Sequence, residues 1–405
     1  NRGAGDYWIV KIDPLGNIEW QKTLGGSSED YLFSIDQTDD NGFIIGGMSI
    51  SDISGDKVEA SIGGFDYWVV KVDSAGVIQW QNTIGGNADD GLSVIKQTLD
   101  GGYIIGGASD SGISGDKTEN RVGATGTSDY WVVKLDTLGN IVWQNTIGGS
   151  LYDDLTSLEQ TNDGGYIVGG ISSSGISGDK TESSMGGSDY WIIKLTITGN
   201  VEWQNTIGGS ANDALYDLHQ TMDGGYIVGG SSSSGITGDK TEEMLGGYVG
   251  DYWVVKLDAS GLIIWQNTIG SNGNDDLQSV WQTSDGGYIL GGYSSSGELN
   301  CSDKNEFGTG SDDIWIVKLN PDCTPIAEVC NTLDDNCNGI IDEDVIESII
   351  ISAVGPTTFC QGGSVILSAT YTGTTVQWKK NGVNIPGATL SSYTVNQKAT
   401  YTCQT

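Results

Sequence analysis

Short stretches of β-branched and aromatic residues recur along the chain, separated by turn residues. Asp129–Asp136 (DYWVVKLD) and Ile141–Ile147 (IVWQNTI) flank a Thr-Leu-Gly-Asn turn. Leu155–Thr161 (LTSLEQT) and Tyr166–Gly170 (YIVGG) flank Asn-Asp-Gly-Gly, where glycine supplies the positive φ that a hairpin turn needs. No ten-residue window has a convincing 3.6-residue period, so helix is nearly absent. The pattern predicts units of four short strands.

The four-strand pattern repeats along the chain with rigid internal distances. Asp-Tyr-Trp occurs five times and returns as Asp-Ile-Trp at Asp313, at intervals of 60, 63, 60, 62 and 62 residues. The distance from the Asp to a second Trp is always 14 residues, from that Trp to Gln-Thr 17, and from Gln to Gly-Gly nine. The complete triplets begin at Asp6, Asp66, Asp129, Asp189 and Asp251. Length variation is therefore confined to one loop, between Gly-Gly and the next Asp.

Repeats of this size predict a β-propeller. A four-stranded unit is too small to bury its own faces, and stacking as blades around an axis buries them. A β-solenoid is the alternative, although its coils are usually shorter and its strands parallel. Because the variable loop occupies the same place in every unit, we expect all of these loops on one face of the propeller.

The repeats resemble those of bacterial secreted β-propellers, which have the form Q-T-x-D-G-G-Y-I-x-G-G followed by D-x-W-x-V-K-L-D-x-x-G-x-x-x-W-x-x-T-x-G-G. The resemblance covers residues 1 to about 320 and recurs five times. In that family the blade begins at the Gln-Thr strand. This implies four complete blades, two lone strands in Asp6–Leu24 and three strands in Leu277–Leu319. Six blades are favoured and five are possible, and we expect further chain upstream.

Three regions are predicted: a propeller over residues 1–320, a Cys/Asp-rich linker over 321–345 and a truncated Ig-like β-sandwich over 346–405. The last region resembles Ig-like modules of large Bacteroidota cell-surface proteins. The resemblance rests on Trp378 followed by Lys-Lys-Asn-Gly and on Tyr401 two residues before Cys403, as in a tyrosine corner. Ala369 occupies the usual position of the partner cysteine, so a standard inter-sheet disulfide is not expected.

The charge balance excludes two classes of function. There are 53 acidic and 18 basic residues, for a net charge of −35, whereas nucleic-acid clamps and anionic-membrane binders need cationic surface. No run of 18 apolar residues exists, so membrane insertion is not expected either. No signal peptide is visible, and we expect one to have been removed.

Residues suited to catalysis are few. The single histidine, His219, stands where other repeats have Asp36, Lys96, Glu159 or Trp281, so we interpret it as solvent-facing. The aspartates of the T-x-D-G-G turn could serve as paired carboxylates, but they recur in every repeat and are interpreted as turn formers. Gly-Asp-Lys-Thr lacks the Gly-Lys pair and the following helix of a phosphate loop. The aspartates in question are Asp100, Asp163, Asp223 and Asp285.

Two further residue types recur at fixed strand positions. The tryptophans of Asp-Tyr-Trp are assigned to packing between blades rather than to a sugar-binding platform. Trp281 breaks its pattern and is predicted to be an exposed aromatic. The recurring lysines are expected to pair with carboxylates on a solvated face. They are Lys11, Lys71, Lys134, Lys194, Lys256 and Lys318.

The stretch Glu328–Asp344 predicts a calcium site. Oxygen ligands at alternate positions before a glycine follow the order of a calcium loop, although Val345 replaces the usual bidentate Glu. The stretch resembles a short Cys/Asp-rich metal-binding motif of bacterial secreted proteins. A disulfide-pinned loop without metal is the alternative. The predicted Ca²⁺ ligands are Asp334, Asn336, Asn338, the Ile340 carbonyl and Asp342.

All six cysteines follow residue 300. Cys301 and Cys323 flank the last propeller strand, and Cys330 and Cys337 flank the acidic loop. Local disulfides among these four are the candidates, as in a protein exposed to an oxidising exterior. Fifteen pairings of six cysteines are formally possible.

Two functions of different classes follow. The first is a non-enzymatic extracellular scaffold or adhesion segment of a larger secreted surface protein, with the variable loops as its recognition surface. Its partner would be a protein or glycan at the cell surface, or further copies in an appendage. The resemblance to Bacteroidota proteins implies type IX secretion. The second is a carbohydrate-binding or carbohydrate-degrading propeller, which a unique pair of channel carboxylates would favour.

Overall fold

The computed structural model describes residues 3–245, 250–295, 303–304, 311–321, 350–355, 357–358, 363–370 and 376–404. The described residues contain strands and no helix, so the all-β prediction is confirmed. Within these ranges, accordingly, no helix has the length and apolar character that a membrane crossing requires. The chain divides into two compact units, Asn1–Asn320 and Pro321–Thr405.

The first unit contains six antiparallel sheets that follow one another along the chain. A two-stranded sheet comes first, four four-stranded meanders follow, and a three-stranded sheet comes last. The strands are β1 (Tyr7–Ile12) and β2 (Ile18–Leu24); β3 (Asp30–Gln37), β4 (Phe43–Ser49), β5 (Asp66–Val72) and β6 (Ile78–Ile84); β7 (Asp90–Gln97), β8 (Tyr103–Ser109), β9 (Asp129–Leu135) and β10 (Ile141–Ile147); β11 (Asp153–Gln160), β12 (Tyr166–Ser172), β13 (Asp189–Leu195) and β14 (Val201–Ile207); β15 (Asp213–Gln220), β16 (Tyr226–Ser232), β17 (Asp251–Leu257) and β18 (Ile263–Ile269); and β19 (Asp275–Gln282), β20 (Tyr288–Ser294) and β21 (Asp313–Leu319).

The third strand of each complete sheet is buried on both faces, which explains its unbroken apolar sequence. Successive side chains point to opposite faces, so one face of β5 carries Tyr67 and Val69. These two side chains pack against Trp131 and Val133 of the next sheet in one buried cluster. The Tyr67 hydroxyl donates a hydrogen bond to the Trp131 carbonyl at 3.1 Å, a bond that every later junction repeats. The prediction that these tryptophans pack between blades is confirmed for Trp68, Trp131, Trp191 and Trp253, which are fully buried, whereas Trp8 of the first sheet is 64% exposed.

The sheets converge at their first strands. Cα atoms of β7 lie within 8 Å of β3, β4 and β5, and the same pattern joins β11, β15 and β19 to the sheets before them. The fourth strands lie farther from the next sheet, and indole rings fill the wider gap there, as Trp80 does against Tyr103. Sheets that converge at one edge and separate at the other fan out around an axis, as propeller blades do. The β-propeller prediction is confirmed, and the solenoid alternative is wrong because the strands pair antiparallel.

In the four-stranded sheets, the first glycine of the Gly-Gly pair on the second strand permits close approach to the next blade. A Cβ atom built at Gly229 would lie 2.6 Å from Leu277 Cδ2 of the next sheet. A side chain at this position would therefore force the two sheets apart. Gly106 and Gly169 meet leucines of the following blade in the same way.

The second unit contains two three-stranded sheets. One joins β22 (Ile350–Val354), β23 (Val365–Thr370) and β26 (Ser392–Val395), and the other joins β24 (Gln377–Lys380), β25 (Val383–Asn384) and β27 (Tyr401–Gln404). Trp378 is fully buried in a cluster with Ala369 and Cys403. The Tyr401 hydroxyl donates to the Gln397 carbonyl at 3.3 Å, the backward bond of a tyrosine corner. The Ig-like assignment stays a prediction.

Several predicted residues lie outside the described ranges. They are the five calcium ligands Asp334, Asn336, Asn338, Ile340 and Asp342 and the four disulfide candidates Cys301, Cys323, Cys330 and Cys337. The calcium site and the local disulfides stay predictions. Cys403 is a half-buried thiol outside any disulfide of the described residues.

Candidate recognition surface

The variable loops connect the second strand of each sheet to the third. They cover residues 50–65, 110–128, 173–188, 233–250 and 295–312. Because the second and third strands are paired in the same way from the second sheet to the sixth, all of these connections leave the strands at the same end of their sheets. We call this end the loop rim. The opposite end carries short turns, such as Asp136–Asn140 between β9 and β10.

In each four-stranded sheet, a buried aspartate at the start of the third strand holds the loop that precedes it. Asp129 Oδ2 accepts the Val122 amide at 2.6 Å, and Asp189 Oδ2 accepts the Met185 amide at 2.5 Å. Asp66 and Asp251 make the same bond to Ile62 and Leu245. All four aspartates are fully buried. The Asp of Asp-Tyr-Trp therefore fixes the path of the loop that precedes it.

A second carboxylate and a serine tie each loop to the preceding blade junction. Asp90, the first residue of β7, accepts the Gly86 amide at 2.7 Å and the Ser111 hydroxyl at 2.9 Å through Oδ2. The Ser111 hydroxyl in turn accepts the Ala88 amide at 2.9 Å. The same bonds recur at Asp153 with Ser174 and at Asp213 with Ser234. These loops are consequently anchored at both of their ends.

The lysine of Gly-Asp-Lys is buried under each loop. Lys117 Nζ donates to Thr146 Oγ1 at 2.8 Å and lies 4.7 Å from the centroid of the Trp131 ring. Lys180 has equivalent contacts with Thr206 and Trp191. A cation over an indole face is stabilised by the ring quadrupole. The motif therefore has a packing role, in agreement with the rejection of a phosphate loop.

Burial shifts the pKa values of the aspartates and lysines that anchor the loops toward their neutral forms. Burial raises the pKa of Asp129, and that of Asp189, to about 6. Burial also lowers the pKa of Lys117 to about 8, although the Asp90 and Asp129 charges oppose that change. A positive group placed between two carboxylates reduces the cost of burying all three.

Two apolar side chains per loop remain exposed on the loop rim. Ile113 and Ile176 are 62% and 70% exposed, and Val122 and Met185 are also partly exposed. Neighbouring loops touch one another, because a Cβ atom built at Gly178 would lie 2.2 Å from Val122 Cγ1 of the preceding loop. The described loops thus form one continuous surface with an apolar row. Its members are Ile53, Ile62, Ile113, Val122, Ile176, Met185, Ile236 and Leu245.

His219 is not solvent-facing, and its sequence-based interpretation is wrong. Only 16% of its side chain is exposed. Its Nδ1 lies 3.0 Å from Glu159 Oε2, and its Nε2 lies 3.3 Å from Asp217 Oδ1. Trp281 packs edge-on against the imidazole and is itself 54% exposed, as predicted. The position tolerates many residue types because each pairs with a different neighbour across the blade junction.

The charge on His219 is stabilised by its neighbours. Burial opposes that charge, but the hydrogen bonds to Asp217 and Glu159 outweigh burial and raise the pKa of His219 to about 9. The ring is therefore an imidazolium at neutral pH and cannot accept a proton as a general base. The groove beside it is lined by Asp36, Lys96, Gln97, Glu159 and Gln160 among other polar residues.

The turn aspartates behave as predicted, but four of the recurring lysines do not. Asp100 Oδ1 accepts the Thr98 hydroxyl at 2.6 Å and the Gly102 amide at 3.0 Å, so it closes its own turn. Lys134 pairs with Asp100 at 3.0 Å, which confirms the predicted pairing. Lys71, Lys134, Lys194 and Lys256 are nevertheless buried rather than solvated. The lysine is stable in this buried position because its ammonium group has a second acceptor: Lys134 Nζ also donates a hydrogen bond to the Leu135 carbonyl.

No cluster of three or more His, Cys, Asp or Glu side chains in the described part of the chain is arranged to hold a metal ion. His219 and its two carboxylate neighbours form a salt-bridged group instead.

The sequence was compared with family models and with known proteins. No family model matches the sequence. The regulatory protein FlaEY of Caulobacter vibrioides is 24% identical over 234 residues, which are 55% of this chain and 24% of that protein. This chain therefore matches about a quarter of the length of that relative.

Three solved structures are also similar to the chain. Hydrazine synthase of Kuenenia stuttgartiensis has a TM-score of 0.42 at 13% identity, and the matched region covers 69% of this chain and 66% of the hydrazine synthase chain. Sqt1 from Chaetomium thermophilum has a TM-score of 0.34 at 15% identity, with coverage of 66% and 67%. BamB from Moraxella catarrhalis has a TM-score of 0.30 at 14% identity, with coverage of 68% and 85%.

Proposed function

We propose that this chain is a non-enzymatic interaction scaffold of the cell exterior, and that it binds its partner through the loop rim. The observation that carries the proposal is the anchoring of four of the five loops by a buried aspartate. The bonds from Asp129 to Val122 and from Asp189 to Met185 hold exposed apolar side chains in place before any partner arrives. Binding then costs little ordering of the loops, which favours affinity.

The length of the loops also favours the loop rim, rather than the opposite end, as the binding surface. Loop insertions vary while the frame stays constant, which is how recognition surfaces are usually built. The opposite end carries turns of nearly constant length. An aspartate closes such a turn by accepting backbone hydrogen bonds within it, as Asp136 does from the Leu138 and Asn140 amides. An extracellular location, secretion by a type IX system and an adhesive role are parts of this proposal.

Binding of the labelled chain to intact cells of the organism that encodes it tests the proposal. Replacement of Ile113 and Ile176 by serine on the loop rim should reduce the bound fraction by about fivefold or more, since buried interface anchors each contribute over about 1 kcal/mol. The matched control replaces Leu138 and Ile197, which are 70% and 63% exposed on the opposite end. Equal loss in both variants, or loss in the control alone, would contradict the proposal.

The absence of catalysis is the second half of the proposal. Catalysis needs groups whose environments differ enough for one to act as acid and another as base or nucleophile. The polar groups of the blade junctions recur from repeat to repeat, and the charged state of His219 leaves it without basic character. Turnover of a polysaccharide that Glu159→Gln abolishes would overturn this part and favour the carbohydrate-degrading alternative.

A further inference from the structure

Exposed carboxylates border the apolar row of the loop rim. They belong to the motif Gly-Asp-Lys-x-Glu, which occurs once in each of the first four variable loops. Asp179 Oδ2 accepts the Gly148 amide at 3.2 Å, and Glu182 Oε2 accepts the Thr206 amide at 2.8 Å, while both acidic residues stay exposed to solvent. Gly148 directly follows β10 and Thr206 lies in β14, and both of these are fourth strands. The carboxylates therefore lie along the outer margin of the loop rim.

Carboxylates of neighbouring loops lie close to one another. Burial raises the pKa of Asp179, and the charge of Glu119 in the preceding loop raises it further. The same repulsion acts on the equivalent aspartates of the loops on either side. These side chains thus form a band of negative charge, which we call the acidic belt. It consists of Glu59, Asp116, Glu119, Asp179, Glu182 and Asp239.

The lysine of each loop does not neutralise the acidic belt. Lys180 is the only cation in its loop, and it is buried. Burial lowers the pKa of Lys180 to about 8, and the charges of the buried Asp153 and Asp189 are the strongest opposition to that change. The positive charge therefore balances mainly carboxylates below the surface. Among the loop residues that the structure describes, Arg121 is the one cation that is not buried.

We infer that the partner of the loop rim is a protein whose contact surface combines apolar side chains with lysine or arginine. This inference rests on the proposed role of the loop rim as the binding surface. The apolar row would bury the apolar side chains of the partner, and the acidic belt would pair with the ammonium or guanidinium groups around them. Protein interfaces commonly have such an apolar centre within a polar rim. Opposite charges on the two partners accelerate their encounter and fix their register.

The acidic belt disfavours other kinds of partner. A second copy would present the same belt and the same net charge of −35, so like charges would meet. An acidic polysaccharide would be repelled in the same way. A neutral glycan would leave the carboxylates without a partner of opposite charge, and its binding would depend little on salt. Charge and salt therefore distinguish these partners from a basic protein.

Binding of the full chain to two probes tests the inference. One probe is intact cells of the organism that encodes the chain, and the other is a synthetic amphipathic peptide of leucine and lysine. The variant replaces Asp116, Asp179 and Asp239 by asparagine, which keeps a carbonyl oxygen as acceptor for the glycine amides. Its affinity for both probes should fall by about fivefold or more, because charge contacts at three loops are lost.

The matched control replaces Asp73, Asp136 and Asp258 by asparagine, in turns at the opposite end of the sheets. It removes the same amount of negative charge from the chain and should bind both probes as wild type does. The affinity of the wild-type chain for the peptide should also fall as the salt concentration rises from about 0.05 M to about 0.5 M. A peptide of leucine and glutamate should not bind.

The serine variant of Ile113 and Ile176 separates this inference from the proposed function. Loss of cell binding in that variant, with wild-type cell binding in the asparagine variant, would keep the loop rim as the binding surface and overturn the basic partner in favour of a neutral one. Retention of cell binding in both variants would contradict the proposed function itself. Equal losses in the asparagine variant and its control, or equal affinity for the two peptides, would assign binding to net charge or to apolar contact alone and overturn the inference.

Discussion

At the scale of single residues, buried charge at the blade junctions is the least expected feature of the protein. Lysine is normally solvated, and a sequence alone cannot show that Lys134 has both a carboxylate and a carbonyl acceptor within reach. His219 misleads for a related reason. The repeats have different residue types at its position, as is usual at exposed positions. Here the residue type differs because the side chain that it contacts across the blade junction also differs from one junction to the next.

The pKa of His219 gives a direct test of its environment. Because the chain has one histidine, a proton NMR titration follows the C–H signals of a single imidazole ring. Its midpoint should lie near 9, above the ordinary value of about 6.5. A Glu159→Gln variant should lower the midpoint, since one of the two carboxylate partners is lost. A wild-type midpoint near the ordinary value would contradict the geometry of the junction.

The same shift predicts how His219 contributes to stability. Its folded pKa exceeds its unfolded pKa, so its contribution is fully present below about pH 6.5 and is lost as the pH rises through about 9. His219→Gln should therefore reduce the free energy of unfolding by on the order of 2 kcal/mol at pH 6, and by less near pH 10. Urea unfolding at the two pH values measures this difference. A cost that is independent of pH would exclude the charged form.

The recurring lysine position offers an internal comparison between a buried and an exposed site. Lys134→Met should reduce the free energy of unfolding by about 1–3 kcal/mol, because the Leu135 carbonyl loses its charged donor. Lys11→Met is the control, since Lys11 pairs with Glu19 on a more exposed surface and should cost less than about 1 kcal/mol. Equal costs at the two positions would refute the effect of burial.

At the scale of elements, the strands and their order follow from the repeat spacing. The 14-, 17- and nine-residue distances set the strand positions, since the Trp, Gln and Gly-Gly they connect occupy the fourth, first and second strands of the blades. The anchoring of the loops could not be predicted in the same way. Nothing in the sequence links Asp129 to the Val122 amide until the loop is folded back over the strand.

The tyrosine bond between blades should contribute to stability at each junction. Tyr130→Phe should reduce the free energy of unfolding by about 1–2 kcal/mol, because the buried Trp191 carbonyl loses its donor. Tyr152→Phe, at a residue that is 53% exposed, should have little effect. Thermal unfolding of the two variants side by side provides the measurement, and an equal effect would contradict the assigned bond.

At the scale of the whole molecule, buried carboxylates and paired carboxylates respond oppositely to acid. Burial raises the pKa of Asp129, Asp189 and Asp251 to about 6, so the folded chain holds extra protons between about pH 6 and about pH 4. Stability should rise as the pH falls through that window. Asp40 has the reverse shift, since bonds from Thr38 and Lys71 lower its pKa to about 2. Its contribution is present above about pH 4 and is lost as the pH falls toward 2.

The melting temperature should therefore reach a maximum at about pH 4–5 rather than at neutral pH. A variant with asparagine at Asp129, Asp189 and Asp251 separates this effect from the general loss of negative charge in acid. Its melting temperature should change less than that of wild type between about pH 7 and about pH 5. A wild-type maximum at or above pH 7 would show that the three carboxyls are not perturbed by burial.

The central claim is that buried carboxylates of the blades hold the recognition loops in one conformation. Residue-resolved hydrogen exchange of the Val122 and Met185 amides tests it most directly. Both amides lie in loops, yet both should exchange slowly, because each donates to a buried aspartate. Asp129→Ala should abolish the protection of Val122 and leave that of Met185 intact, whereas Asp136→Ala, in a turn at the other end, should change neither. Exchange of both amides in the wild-type chain at the rate of an unstructured loop would contradict the claim.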